Sequence, residues 1–354
     1  MQSEKYSRDN AGQSLKKYIL LKKGELAYNH GASKAKQYGC CYELTEDEAR
    51  IPYVYHCFKV SGAEHTPYVA TALNNPKIDR QLKRLVSSSV RMDGLLNISF
   101  DDYMSVILHL PSLKEQTHIA DFLKKLDERI TAQEKLVASL KKYKRALLNA
   151  FFAEKSDYFL FSDASALKIE EVCDVLSGKR IPKGETFCSH PTEYRYITVS
   201  DMGEKYVCSD NLQYISEHTE KQISRYKVKG GDIIISVAGT LGKLNIITSD
   251  LGGVNLTENC DRFTNFRGVG SEYLYYVLSS DLIQSQIESS KTKNGQPKLA
   301  LERIRNFTIP VPHQEIQEQL VKVMISLDQY IASQLAILDR YCKLRSGLLQ
   351  QLFI

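Results

Sequence analysis

The chain has 354 residues, 43% of them apolar, with a formal net charge of +5 and eight cysteines. That length exceeds one ordinary core and points to two domains or two plus a connector; no run of about 18 apolar residues is available for a membrane span, and the start MQSEKYSRDN lacks a secretory signal pattern. Cys40, Cys41, Cys57, Cys173, Cys188, Cys208, Cys260 and Cys342 form no CxxC pair and match no histidine spacing, which speaks against a zinc site and for reduced thiols in a soluble, cytoplasmic protein.

In chain order, residues 15–29 predict a strand, a turn at Gly24 and a second strand, and residues 52–60 alternate aromatic and β-branched side chains as a further strand. Residues 66–89 predict one or two short helices broken at Pro76, and the Asn74-Asn75-Pro76 stretch reads as a turn. Alternation of Ile98, Phe100, Val106 and Leu108 predicts a strand pair over 97–109. A long helix follows. Beyond it, residues 169–180 predict a strand running into a basic turn, and 194–199 another strand. Residues 228–244 predict a turn, a buried strand and a glycine-rich turn, and 272–288 carry a helical pattern. A basic loop at 291–297 then leads through Leu299, Leu301, Phe307 and Ile309 into a second long helix.

The two long helices are copies of one stretch. Residues 110–152 and 311–353 align without a gap at an offset of 201: Pro111 on Pro312, Gln116 on Gln317, Asp127 on Asp328, Ile130 on Ile331. In the first copy Ile119, Leu123, Leu126, Ile130, Val137, Leu140, Leu147 and Phe151 recur at steps of four and three, the spacing of a coiled-coil seam. In the second the same register selects Leu320, Met324, Leu327, Ile331, Leu338, Tyr341, Leu348 and Leu352. Even the polar interruptions repeat, Gln133 and Lys144 in one copy and Gln334 and Arg345 in the other. A helix of this length is a rod of roughly 55 Å. If the two pack antiparallel, Gln133 meets Gln334, Lys144 lies near Asp328, and Arg345 near Asp127.

The repeat extends into the lobes that precede the helices, with Gly24-Glu25 on Gly231-Asp232 and Ile98 and Phe100 on Leu299 and Leu301. Measured to those glycines, the first half is shorter by roughly forty residues, so its first domain is expected to be truncated at the N-terminus.

No catalytic constellation stands out. GTLGK at 239–243 is too short for a triphosphate-binding loop, and neither G-x-S-x-G nor H-E-x-x-H occurs. Positive residues gather instead in turns, at Lys179-Arg180-Lys183 and Lys291-Lys293-Lys298, and along 141–145. Two lobes carried on a rod suit a bipartite DNA site, since a rod sets a fixed distance along a duplex.

Three features together resemble the specificity subunit of Type I restriction–modification systems: the proline-led entries at 111–116 and 312–315, the I-A-x-x-L-x-x-L-D-x-x-I core at 119–130 and its counterpart at 320–331, and the L-L-x-x-L-F endings at 147–152 and 348–353. Lobe motifs agree, at 23–29 and at 231–236 followed by 239–243. The resemblance implies an α+β chain in which two mixed α/β target-recognition domains are separated by two long helices forming an antiparallel coiled coil with a pseudo-two-fold internal repeat. The expected boundaries are 1–110 for the first recognition domain, 111–153 for the first helix, 154–311 for the second recognition domain and 312–354 for the second helix.

It also implies a non-catalytic subunit that binds double-stranded DNA and directs two methyltransferase subunits and restriction–translocase subunits to a bipartite site of fixed spacer. S-adenosylmethionine, ATP and Mg would then belong to the partners, with no cofactor or metal in this chain and no membrane partner. The candidate DNA-binding residues are Lys179, Arg180, Lys183, Ser236, Thr240, Lys243, Lys291, Lys293, Gln296, Lys298 and, in the first lobe, Arg91: basic groups for phosphate or guanine and glycine-flanked hydroxyls for close backbone approach. The alternative is a truncated or silent fragment that acts only as a coiled-coil scaffold.

Overall fold

A computed structural model describes residues 18–31, 36–86, 95–152, 164–289 and 298–353. The chain opens with β1 (Tyr18–Lys22), β2 (Leu26–Asn29), β3 (Cys40–Glu43), β4 (Glu48–Pro52) and β5 (His56–Phe58), then α1 (Thr66–Ala72), α2 (Pro76–Leu85), α3 (Phe100–Met104) and the long α4 (Leu113–Phe152). The second stretch runs β6 (Ser165–Lys168), α5 (Ile169–Val172), β7 (Asp174–Ser177), β8 (Arg195–Ile197), β9 (Gln213–Tyr214) and α6 (Glu217–Ile223). It continues with β10 (Ile233–Ser236), β11 (Leu244–Ile246), β12 (Asn255–Leu256), β13 (Cys260–Thr264), α7 (Ser271–Ser279), α8 (Asp281–Ser289), α9 (Leu301–Arg305), β14 (Thr308–Val311) and the long α10 (Gln314–Leu352). The fold is α+β, with two sheet-bearing lobes that each lead into a long helix.

The chain divides into two compact units, one formed by Met1–Leu136 with Gln334–Ile354 and the other by Val137–Ser333. In the first, β2 is the centre of a sheet of order β3-β2-β5, and β1 pairs antiparallel with β4. Leu26 and Tyr28 on β2 are buried beneath α1 and α2, with Val69, Ile78 and Leu82. Pro76 does not break a helix but begins one: Asn75 accepts from the N–H groups of Lys77 (2.7 Å) and Ile78 (3.2 Å), the cap that frees proline for the first turn. Two expectations fail here. Residues 52–60 split into the end of β4, a turn and β5, and 97–109 hold no strand pair. There Ser99 accepts from the Asp102 N–H (3.0 Å) and starts α3, so a cap outweighs the apolar alternation.

The second unit contains a four-stranded sheet of order β11-β10-β13-β7 and a three-stranded one of order β12-β8-β9. Ile233, Ile234 and Ile235 on β10 are fully buried, which is why this strand reads as a continuous apolar run. Residues 169–172 form the short α5 rather than the start of a strand, and the helical stretch 272–288 is split at Ser280, whose extended backbone and buried hydroxyl end α7. Leu301 lies in the short α9.

Each unit contains an antiparallel stretch of the long helices. In the first, the Gln133 side chain donates to the side-chain oxygen of Gln334 (2.9 Å), and Arg345 pairs with Asp127 (Nη2 to Oδ2, 3.0 Å). In the second, Lys144 pairs with Asp328, while Leu148 and Phe152 are buried with Leu320 and Met324. Both charged pairs obey the same 201-residue repeat visible in the separation of Gln133 and Gln334. The helix entries also repeat: buried Gln116 donates to the Pro111 carbonyl and buried Gln317 to that of Pro312, each at 2.9 Å.

Candidate DNA interface

In the second unit, the end of β7 is held by a glycine with no alternative. The Gly178 N–H donates to the Cys260 carbonyl (3.0 Å) and the next N–H, of Lys179, to that of Leu256 (2.8 Å). A Cβ on Gly178 would lie 2.0 Å from the Thr257 carbonyl oxygen, so only glycine fits this close approach. The basic turn is thereby laid against the loop at 257–260. Lys179 and Arg180 are exposed. The Lys179 carbonyl accepts from the Tyr196 hydroxyl (2.7 Å), and Arg180 Nε donates to Glu258 (2.6 Å). That bond, with the carboxylate's charge, raises the Arg180 guanidinium further. Burial works against the Glu258 carboxylate, but hydrogen bonds from Arg180, its own backbone N–H and Thr257, together with the Arg180 charge, outweigh it and hold Glu258 below the usual range.

The neighbouring segments meet at the same end of the sheet. Val237 N–H donates to Asn259 (2.8 Å), Leu299 N–H donates to Val237 (2.9 Å), and Ala238 bridges to Lys298. Lys179, Arg180, Thr240 and Lys298 are thus exposed on one row of loops. Beneath them Asp261 is buried, and burial raises its carboxyl to about 6, against a Ser177 hydrogen bond and the charges of Lys298 and Arg305.

Not every candidate lies on that row. Ser236 is fully buried; its hydroxyl donates to the Thr240 carbonyl (2.5 Å) and accepts from the Lys243 N–H (2.9 Å), so it shapes the hairpin and offers nothing outward. Lys243 is half-buried and its ammonium donates to the Met202 carbonyl. Lys183 is exposed further along the basic turn. Lys291, Lys293, Gln296 and Arg91 lie outside the described residues. The seam residues Leu123, Leu126, Val137, Leu320, Met324 and Ile331 are buried, and Ile119, Ile130, Leu140, Leu147, Leu327, Leu338 and Leu348 are half-buried.

No sequence pattern points to Glu258, Asn259 or Ser200, which with Phe187 and Tyr196 line a groove of about 430 Å³ beside Arg180. They come from segments far apart in the chain, and no spacing links them. Among the described residues no cluster of three or more His, Cys, Asp or Glu side chains could hold a metal, and no helix is long and apolar enough to cross a membrane.

Comparison with known proteins decides the family. Residues 162–339, half of the chain, match the Type I restriction modification DNA specificity domain. The chain belongs to this family. It is 23% identical over 261 residues to the specificity subunit of the Type I restriction enzyme MjaVIII of Methanocaldococcus jannaschii, covering 70% of this chain and 61% of that protein. It is 23% identical over 316 residues to the EcoBI specificity subunit of Escherichia coli, covering 83% of this chain and 62% of that protein. The chain therefore spans about three fifths of the length of these relatives. The S subunit of a Type I restriction–modification system from M. genitalium, solved as a crystal structure, shares its fold, with a TM-score of 0.56 at 17% identity over 98% of this chain and 86% of that one.

Proposed function

We propose that this chain is a DNA-recognition subunit that reads a bipartite double-stranded site with a fixed spacer and directs methyltransferase and restriction–translocase subunits to it. Lys179, Arg180, Thr240 and Lys298, brought to one end of the second unit's sheet, carry the reading. Lysine and arginine on loops of a rigid sheet suit phosphate contacts, and a guanidinium held by a carboxylate is pre-oriented to present its free edge to guanine. Lys183 extends the basic turn, and Lys291, Lys293 and Gln296 precede Lys298 closely in the sequence.

In this reading residues 1–110 and 154–311 are the two target-recognition domains. The helices at 111–153 and 312–354, joined along the seam from Ile119 to Leu147 and from Leu320 to Leu348, set the spacer and receive two methyltransferase subunits. The chain itself performs no chemistry. S-adenosylmethionine, ATP and Mg belong to its partners, and the complex works on double-stranded DNA in the cytoplasm. The test is mapping of methylated bases in cells expressing the cognate methyltransferase with and without this chain. A split motif of constant spacer that appears only with the chain supports the reading; methylation at the same positions in both strains overturns it.

A further inference from the structure

The turn at 257–260 carries Glu258 and Asn259 at its two corners and is held from several sides. The Cys260 N–H closes it by donating to the Thr257 carbonyl (3.1 Å), and the Thr257 N–H donates to the Ile197 carbonyl (3.0 Å). At Asn259 the N–H donates to the Thr257 hydroxyl (3.5 Å) and the carbonyl accepts from the Val237 N–H (2.8 Å). Gly178 lies against the Thr257 carbonyl too closely for any Cβ. The backbone of both corner residues is thus fixed, and a fixed backbone aims the side chains it carries.

Asparagine serves turns in two ways, by adopting positive φ or by committing its side chain to a local hydrogen bond. Asn265, in the next turn of this unit, shows both: its φ is 54° and its amide donates to Asp174 (2.8 Å). Asn255, on the strand just before the 257–260 turn, commits its amide to the Ile223 carbonyl (2.9 Å). Asn259 does neither. Among the described residues Asn265 is the one non-glycine with positive φ, and the Asn259 carboxamide has no hydrogen-bond partner among them. That carboxamide is half-buried and lines the groove of about 430 Å³ beside Arg180.

A carboxamide holds one donor and one acceptor side by side. In the major groove only adenine answers both at once, through its N6 amino group and N7; guanine offers two acceptors there, cytosine a donor, and thymine an acceptor beside a methyl group. Arg180 is a donor only, and its Nε is already taken by Glu258 (2.6 Å). The two neighbouring side chains therefore suit different bases.

We propose that, within the DNA-recognition role proposed above and resting on it, Asn259 is a specificity-determining residue that reads one adenine beside the base contacted by Arg180. One turn then supplies two functions. Glu258 orients Arg180, and Asn259 contacts a base itself.

The full chain, assembled with its methyltransferase subunits in the absence of S-adenosylmethionine, is used to select bound duplexes from a randomised pool, which are then sequenced. The parent chain is compared with Asn259→Ala, Asn259→Asp and Arg180→Ala, and the melting midpoint of each is measured alongside. Asn259→Ala should relax one adenine position of one half-site by about tenfold or more. Asn259→Asp, which keeps the shape but only accepts, should move the preference at that position to cytosine. The rest of the motif and the spacer should stay as they are. Every adenine retained in both Asn259 variants, while Arg180→Ala relaxes its own position, overturns this inference and leaves the recognition role standing. An even loss across all positions with a lowered melting midpoint in both Asn259 variants also overturns it, by assigning the residue to the turn alone. An unchanged motif in all three variants removes the basic edge from the interface, and the recognition role falls with the inference.

Discussion

The first and second units use one scaffold to present different edges. At the end of β10, Ala238 bridges to Lys298 and Leu299 N–H donates to Val237; at the end of β2, Gly31 bridges to Leu95 and Leu96 N–H donates to His30 (3.1 Å). The backbone of the row is conserved between the units, while its charge is not: leucine stands where the second unit carries lysine. Among the described residues, the first unit also has no counterpart of β7, which delivers Lys179 and Arg180. The scaffold is a frame for loops, and the loops decide what a unit can bind.

The largest difference expected between the units is steric. Gly178→Ala should destabilise the second unit by about 3 kcal/mol, since backbone blocks its Cβ, whereas Gly24→Ala, with open space but positive φ, should cost about 1 kcal/mol. Denaturant melts of the two variants measure the difference. Next come the charged helix pairs. Asp328 receives Lys144, Lys205 and the Tyr276 hydroxyl, whereas Asp127 receives Arg345 in a more open setting. Asp328→Ala should therefore cost about 3 kcal/mol and Asp127→Ala about 1 kcal/mol. Equal losses would mean that the Lys205 contacts add nothing.

A smaller effect separates the two rows electrostatically. Lys179→Ala and Lys298→Ala should each lower the slope of log binding constant against log salt by about one, while Leu95→Ala should leave it unchanged.

The smallest effect concerns pH. Asp261 has its folded pKa raised from 3.8 to about 6. Below 4 both folded and unfolded states hold the proton, and as pH rises through 6 the folded state must ionise a buried acid, so its contribution to stability is lost. Asp261→Asn should thus match the parent chain below pH 4 and melt higher above pH 6.

The 201-residue repeat made the helix pair legible: Gln133 with Gln334, Asp127 with Arg345 and Lys144 with Asp328 all follow from one register and an antiparallel arrangement. The buried β10 was legible too, because a continuous isoleucine run carries a local signal, whereas the cap at Asn75 was hidden behind a turn reading that took Pro76 as a breaker. What stayed hidden was long-range. Alternation at 97–109 resembles a strand until the Ser99 cap is seen, and Ser236 resembles a ligand-binding hydroxyl until burial places it inside the hairpin. Glu258 orients Arg180 across 78 residues of sequence.

In the proposed function, the basic edge of the second unit reads one half of a split DNA site. Methylated-base mapping in cells that express the cognate methyltransferase with either the parent chain or Arg180→Ala tests it most directly. One half of the motif is expected to relax or lose occupancy while the other half and the spacer stay constant. An unchanged motif at full occupancy with Arg180→Ala, and again with Lys179→Ala and Lys298→Ala combined, would contradict it.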